Sequence, residues 1–192
     1  MWQVDLALAD VVSTSSDPRL GAIRLAWWRE RLDELDEGKL AAEPRLQSVS
    51  TELLPRGVSG RELTQLEDAW LPLLEPFPWG DPQAEALIQR GRLLFGIGAR
   101  LLGSAPEEAE QAGALWSLVD GAQHCTDPQS QELLRQRAAA LLATMRRPLP
   151  RRLRVLTVLA ALAAADVIRE GSGLKRVSAA ARHRLMGSLP HS

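Results

Sequence analysis

The sequence predicts an all-α protein folded as a single helical bundle of seven or eight helices. Three observations carry that expectation. Leu (34) and Ala (27) make up nearly a third of the 192 residues, while Val and Ile together number only 14 and Tyr is absent. Leucine and alanine favour helix, whereas strands favour β-branched and aromatic side chains. Apolar residues recur at helical spacing, and Pro or Gly marks the joints between segments.

The first helix runs from Val4 to about Thr14, with Val4, Leu8, Val11 and Val12 on one face. It begins almost at Met1. Chain ends normally lie in loose segments, so this points to a start site placed too far downstream or a missing preceding helix. Asp17-Pro18 opens the next helix, which runs to about Glu37 and stops at Gly38. Leu25, Trp28, Leu32 and Leu35 form one stripe on it, and Leu20, Ile23 and Trp27 form a second beside it. Two adjacent stripes suit a helix deep in a bundle.

Pro44 to about Val49 reads as a short helix. Ser59 and Glu62 have capping-box spacing and open a helix through Leu74, kinked at Pro72. Asp81-Pro82 starts a helix to Leu102, with Gly103 as its stop. Ser104 and Glu107 form a second capping box, for a helix to about His124. Asp127-Pro128 starts the next, ending before Pro148. Pro150 to about Glu170 is an Ala/Leu helix closed by Gly171, and Leu174–Met186 is a last, basic helix. No fixed-period repeat and no linker divide the chain, so it reads as one domain over residues 1–192 with a basic tail at 172–192.

Composition excludes several function classes. One Cys rules out a disulfide framework and a Cys-based zinc site. The longest apolar run, Val155 to Ile168, is too short to span a bilayer and contains Thr157 and Asp166. The expected location is the cytoplasm, or the inner membrane face as a peripheral protein. A net charge of −1 is no nucleic-acid footprint. That balance hides an asymmetry. Residues 1–145 hold 13 Lys/Arg against 22 Asp/Glu, and residues 146–192 hold 10 against 2. The basic end either packs on the acidic body or meets an anionic surface such as lipid headgroups or phosphates.

Few residues suggest chemistry. His124-Cys125 is the one thiol–imidazole neighbourhood, but adjacent helical residues do not face each other. His183 and His191 lie in the basic tail and are expected to face solvent. Gly91, Gly96 and Gly98 interrupt a helical pattern, which implies either close helix packing or room for a ligand beside Phe95. Among carboxylates, Asp5 and Asp10 sit about 140° apart around a helix and do not share one ion easily. Asp33, Glu34, Asp36 and Glu37 read as a solvated surface, as do Glu67-Asp68 and Glu107-Glu108. Asp120 is the one carboxylate in a rather apolar helix, and it either faces water or serves a site.

Two segments carry a resemblance: Asp5-Leu-Ala-Leu-Ala-Asp-Val-Val-Ser13 and Asp17-Pro-Arg-Leu-Gly-Ala-Ile-Arg-Leu-Ala-Trp-Trp-Arg-Glu30. They resemble the squalene/phytoene synthase family around its first active-site helix. Leu93–Gly103 is similar to that family's central Gly-containing helix, Ala112–His124 to its second active-site helix, and Arg151–Leu162 to its C-terminal helix. The resemblance implies an isoprenoid-synthase fold. Members join two allylic prenyl diphosphates head to head through a cyclopropyl intermediate. Two Asp-rich motifs hold Mg²⁺ against the diphosphates, and an apolar cavity excludes water.

The resemblance places Asp10 and Asp120 as what remains of the metal-binding set, and Phe95, Gly96 and Trp116 along the substrate cavity. The chain departs from the family pattern at those motifs. The first would fall on Ala9-Asp10-Val11-Val12-Ser13, where only Asp10 is acidic; the second would fall near His124–Pro128, at positions that are not acidic. Each lost carboxylate removes a ligand that a hard cation needs. The expectation is therefore a protein of this ancestry without prenyl transfer, acting as a binding or assembly factor. Relatives of this fold that serve respiratory complex I assembly have the same loss. Expected partners are a prenyl diphosphate or other lipid, a protein, or a membrane surface met by the basic end. Two alternatives stand beside it: an active Mg²⁺-dependent prenyltransferase, and a helical interaction module that kept only the scaffold.

Overall fold

The computed structural model describes residues 1–145, 148–168 and 173–190. Those residues form nine α-helices joined by short π and 3₁₀ turns, with no strand among them. They divide into two compact units, Met1–Pro76 and Phe77–Ser192.

The first unit contains α1 (Trp2–Thr14), α2 (Pro18–Asp36), α3 (Pro44–Ser48) and α4 (Gly60–Trp70). Asp17 caps α2 by accepting from the Arg19 N–H at 2.8 Å, and Ser59 caps α4 by accepting from the Glu62 N–H at 3.0 Å. Pro72 has no N–H to continue α4, and the chain tightens into a 3₁₀ turn over Leu71–Leu74. Leu25, Trp28, Leu32 and Leu35 are buried as expected, together with Val4, Leu8 and Val11 of α1. The second stripe of α2 is not. Leu20, Ile23 and Trp27 are 59, 66 and 43 % exposed, while α1 and α4 are packed against α2.

Carboxylates assigned to solvated surface do structural work in this unit. Both oxygens of Asp36 accept from the N-terminal backbone of α4, from Gly60 N at 2.6 Å and Arg61 N at 2.8 Å. A carboxylate there also meets the positive end of the helix dipole. Glu67 is buried and accepts from Arg29 Nε at 2.7 Å, while Asp68 pairs with the same guanidinium. The partner cations and amides come from other helices, so local spacing does not reveal them.

The second unit contains α5 (Asp81–Leu101), α6 (Glu107–His124), α7 (Pro128–Thr144), α8 (Arg154–Val167) and α9 (Gly173–Met186). Asp127 caps α7, accepting from both the hydroxyl and the N–H of Ser130; those bonds, the hydroxyl's first, hold its carboxyl below the usual carboxylate range. The Ser104–Glu107 box does not form. Gly103 turns left-handed (φ +70°) after α5, and Ser104 N donates to Ala99 O at 2.9 Å while Gly103 N donates to Arg100 O. Ser104 is thereby used to close α5 rather than to open α6. The expected helix from Pro150 begins as a 3₁₀ turn over Arg151–Leu153 before α8. Gly171, its expected stop, lies outside the described residues.

The glycines of α5 answer the question left open by the sequence. A Cβ on Gly91 would lie inside the carbonyl of Gly113 on α6, and one on Gly113 would meet the Gly91 carbonyl. The two helices cross backbone on backbone there. Gly96 is different, since its added Cβ would find its nearest neighbours, Glu110 and Pro106, at an ordinary 3.5 Å. Gly91→Ala should therefore lose about 3 kcal/mol through overpacking. Gly96→Ala should gain about 0.5–1 kcal/mol from helix propensity. Urea unfolding of both variants checks this, and equal effects at the two positions would refute the crossing.

Candidate functional site

Of the five residues singled out for a site, three come together in the second unit. Phe95, fully buried on α5, stacks on Trp116 of α6 with ring centroids 5.7 Å apart and planes at 28°. Asp120 lies one turn beyond Trp116. The residue that joins them is Arg90, which the sequence reading did not select. Its guanidinium sits 4.8 Å over the Trp116 ring and donates to Asp120 Oδ2 at 2.8 Å and to Ser117 Oγ at 3.3 Å. Arg90 is 4 % exposed. A signal for it existed: Leu87, Arg90, Gly91 and Leu94 follow helical spacing, which puts an arginine inside an apolar stripe.

Gly96 faces Pro106 and Glu110, away from this cluster. Asp10 belongs to the first unit, where it is exposed; its backbone carbonyl accepts from the Ser13 and Thr14 hydroxyls. Asp5, on the same helix, is buried and accepts from the Trp70 indole N–H at 2.9 Å. Asp120 already neutralises a buried guanidinium, so a cation binding it would have to compete with Arg90. That donor set does not fit Mg²⁺, which takes hard, charged oxygen ligands in near-octahedral order. Among the described residues no group of three or more His, Cys, Asp or Glu is placed to hold a metal ion. His124 projects to solvent and its neighbour Cys125 is buried, with Sγ directed to the Asp127 carbonyl at 3.6 Å.

A cleft lined by Trp116, Asp120, Gln123, Leu159, Asp166 and Arg176 opens beside this cluster, with a volume of about 80 Å³. That holds a few waters, whereas small-molecule sites generally span about 300–1,000 Å³. A groove of about 730 Å³ lies elsewhere in the unit, between the start of α8 and the last turns of α9. Arg151, Arg152, Arg154 and Arg184 line it, with Val155, Val158, Ala181 and Leu185 between them.

His183 anchors α9 on α8. It was expected to face solvent and is instead fully buried. Its Nδ1 lies 3.3 Å from the Ser188 carbonyl and its Nε2 lies 2.8 Å from the Thr157 hydroxyl on α8. A carbonyl only accepts, so in the neutral ring Nδ1 donates to Ser188, and the one proton of the Thr157 hydroxyl is shared between Nε2 and the Leu153 carbonyl at 3.0 Å. The spacing Ala179, His183, Gly187 places the ring on the inward face of α9, where packing on α8 overrides the basic character of its neighbours. Arg154 adds a second tie, its Nη1 donating to the Arg184 and Leu185 carbonyls at the end of α9. His191 lies outside the described residues.

Two outcomes are expected of these contacts. Asp120→Ala should destabilise the chain by about 2 kcal/mol, because a buried guanidinium loses a charged hydrogen bond. Unchanged urea unfolding would show the pair to be idle. Burial, with the Arg154 charge as a smaller cause, holds the His183 imidazole below its ordinary 6.5. The unfolded chain then binds the proton more readily than the folded one. The stability is fully present above pH about 6.5 and is lost as pH falls through the folded value. His183→Gln should flatten that part of a pH–stability profile, and a profile unchanged by the substitution would refute the assignment.

No family model, no curated protein and no solved structure matches the chain.

Proposed function

We propose that this chain is a squalene/phytoene synthase-like helical protein that has lost prenyl transfer and works by binding, as an assembly or scaffold factor. One observation carries the reading. Asp120, the carboxylate that the resemblance would assign to metal, is instead the counter-ion of Arg90, which also covers the Trp116 ring. A diphosphate leaving group needs a multi-carboxylate metal clamp, and a single neutralised carboxylate does not supply one. Phe95 and the Gly91–Gly113 crossing support the same reading, since a fully buried ring and touching backbones leave no room there for a prenyl chain. The cationic groove at α8 and α9 is the surface through which such a protein would bind.

The test is direct. Purified full chain is incubated with Mg²⁺ and farnesyl or geranylgeranyl diphosphate, and pyrophosphate release and hydrocarbon products are followed. No turnover is expected. Formation of squalene or phytoene, or diphosphate release that Asp120→Ala abolishes, would establish the prenyltransferase instead.

A further inference from the structure

We infer that the α8–α9 groove docks on the surface of an anionic phospholipid bilayer; this rests on reading that groove as the binding surface. Four guanidinium groups and a set of aliphatic side chains share the groove. The aliphatics stand out of it: Val155 and Leu185 are 73 and 77 % exposed, and Val177, on the same arc of α9, is 68 % exposed. A polar polyanion would be met by the arginines alone and would leave those side chains in water. A bilayer takes both, phosphates at the guanidinium groups and the aliphatic tips among the acyl carbons.

The four arginines divide by role. Arg154 is held by the end of α9, and Arg152 donates to the Gly103 carbonyl at 3.1 Å. Arg151 and Arg184 are exposed, and no ion pair among the described residues holds them. They belong to the segment of residues 146–192, where 10 Lys/Arg stand against 2 Asp/Glu. That local excess complements an anionic leaflet even though the whole chain carries −1. No helix among the described residues is long and apolar enough to cross a membrane, so this mode of contact lies in the interface plane.

Vesicle co-sedimentation of the full chain tests it, using phosphatidylcholine alone and phosphatidylcholine with roughly three-tenths phosphatidylserine. Binding is expected only to the mixed vesicles and should weaken as salt is raised, because exposed charges are screened. Arg151→Gln with Arg184→Gln should weaken it about 30-fold, the loss of two surface cations. Val155→Ser with Leu185→Ser should weaken it as well, at unchanged charge. Circular dichroism confirms that each variant is folded, since none of these side chains holds α8 to α9. Equal binding to neutral vesicles, or none to mixed ones, overturns the inference. So does a response to the arginine pair with none to the aliphatic pair, which would mark a site for any polyanion; inorganic pyrophosphate as competitor identifies that case. Failure here leaves the absence of prenyl transfer standing, because turnover is read in a separate assay.

Discussion

The second unit depends on the point where α5 and α6 touch through glycine. Helices that meet through side chains run 8–10 Å apart. With no Cβ on Gly91 or Gly113, each backbone lies against the other's carbonyl. The consequences extend along both helices. Phe95 is brought down onto Trp116, and Arg90 comes within hydrogen-bond reach of Asp120. At a wider spacing the guanidinium would be buried without its carboxylate, a costly arrangement. The glycines therefore matter for the distance they permit more than for the residues they expose. Gly60, set against the Leu32 carbonyl with Asp36 on its N–H, brings α4 onto α2 in the first unit by the same means.

Several ionisable groups in this protein are turned to internal use. Asp5 holds an indole, Asp36 a helix N-terminus, Glu67 a guanidinium, Asp120 a second guanidinium, and His183 a hydroxyl and a carbonyl. Each is satisfied by a group from another segment of the chain. Burying a polar group without a partner costs free energy, and these pairings avoid that cost while fixing helix register. Side chains committed in this way are poor ligands for a metal or a diphosphate.

The arginines of α8 and α9 show the opposite tendency. Arg154 ties the end of α9, while Arg151 and Arg184 extend from the same groove among exposed aliphatic side chains. A buried histidine on one side of α9 and a cationic, aliphatic groove on the other make this helix two-faced. Its anchoring contacts define the position of the groove, so the surface chemistry is presented on a fixed frame.

The sequence by itself determined the helices and most of their ends. Leu and Ala content, Asp17, Ser59 and Asp127 as caps, Pro72 as a break in helix geometry and Gly103 as a stop are local signals, and local hydrogen bonding decides them, although the helix expected through Leu74 is α only to Trp70. Even the one failed cap, at Ser104, was lost to a neighbouring local motif. Periodicity also located the buried stripe Leu25–Leu35 but could not say that Leu20, Ile23 and Trp27 stay in water, because that depends on where α1 and α4 pack. The candidate site was legible in part. Phe95, Trp116 and Asp120 were selected, while Arg90 and the burial of His183 were not. Only tertiary structure decided those, for one physical reason: whether a charged or polar side chain faces water or an internal partner is settled by groups far away in sequence, and a single chain pattern does not record which groups those are.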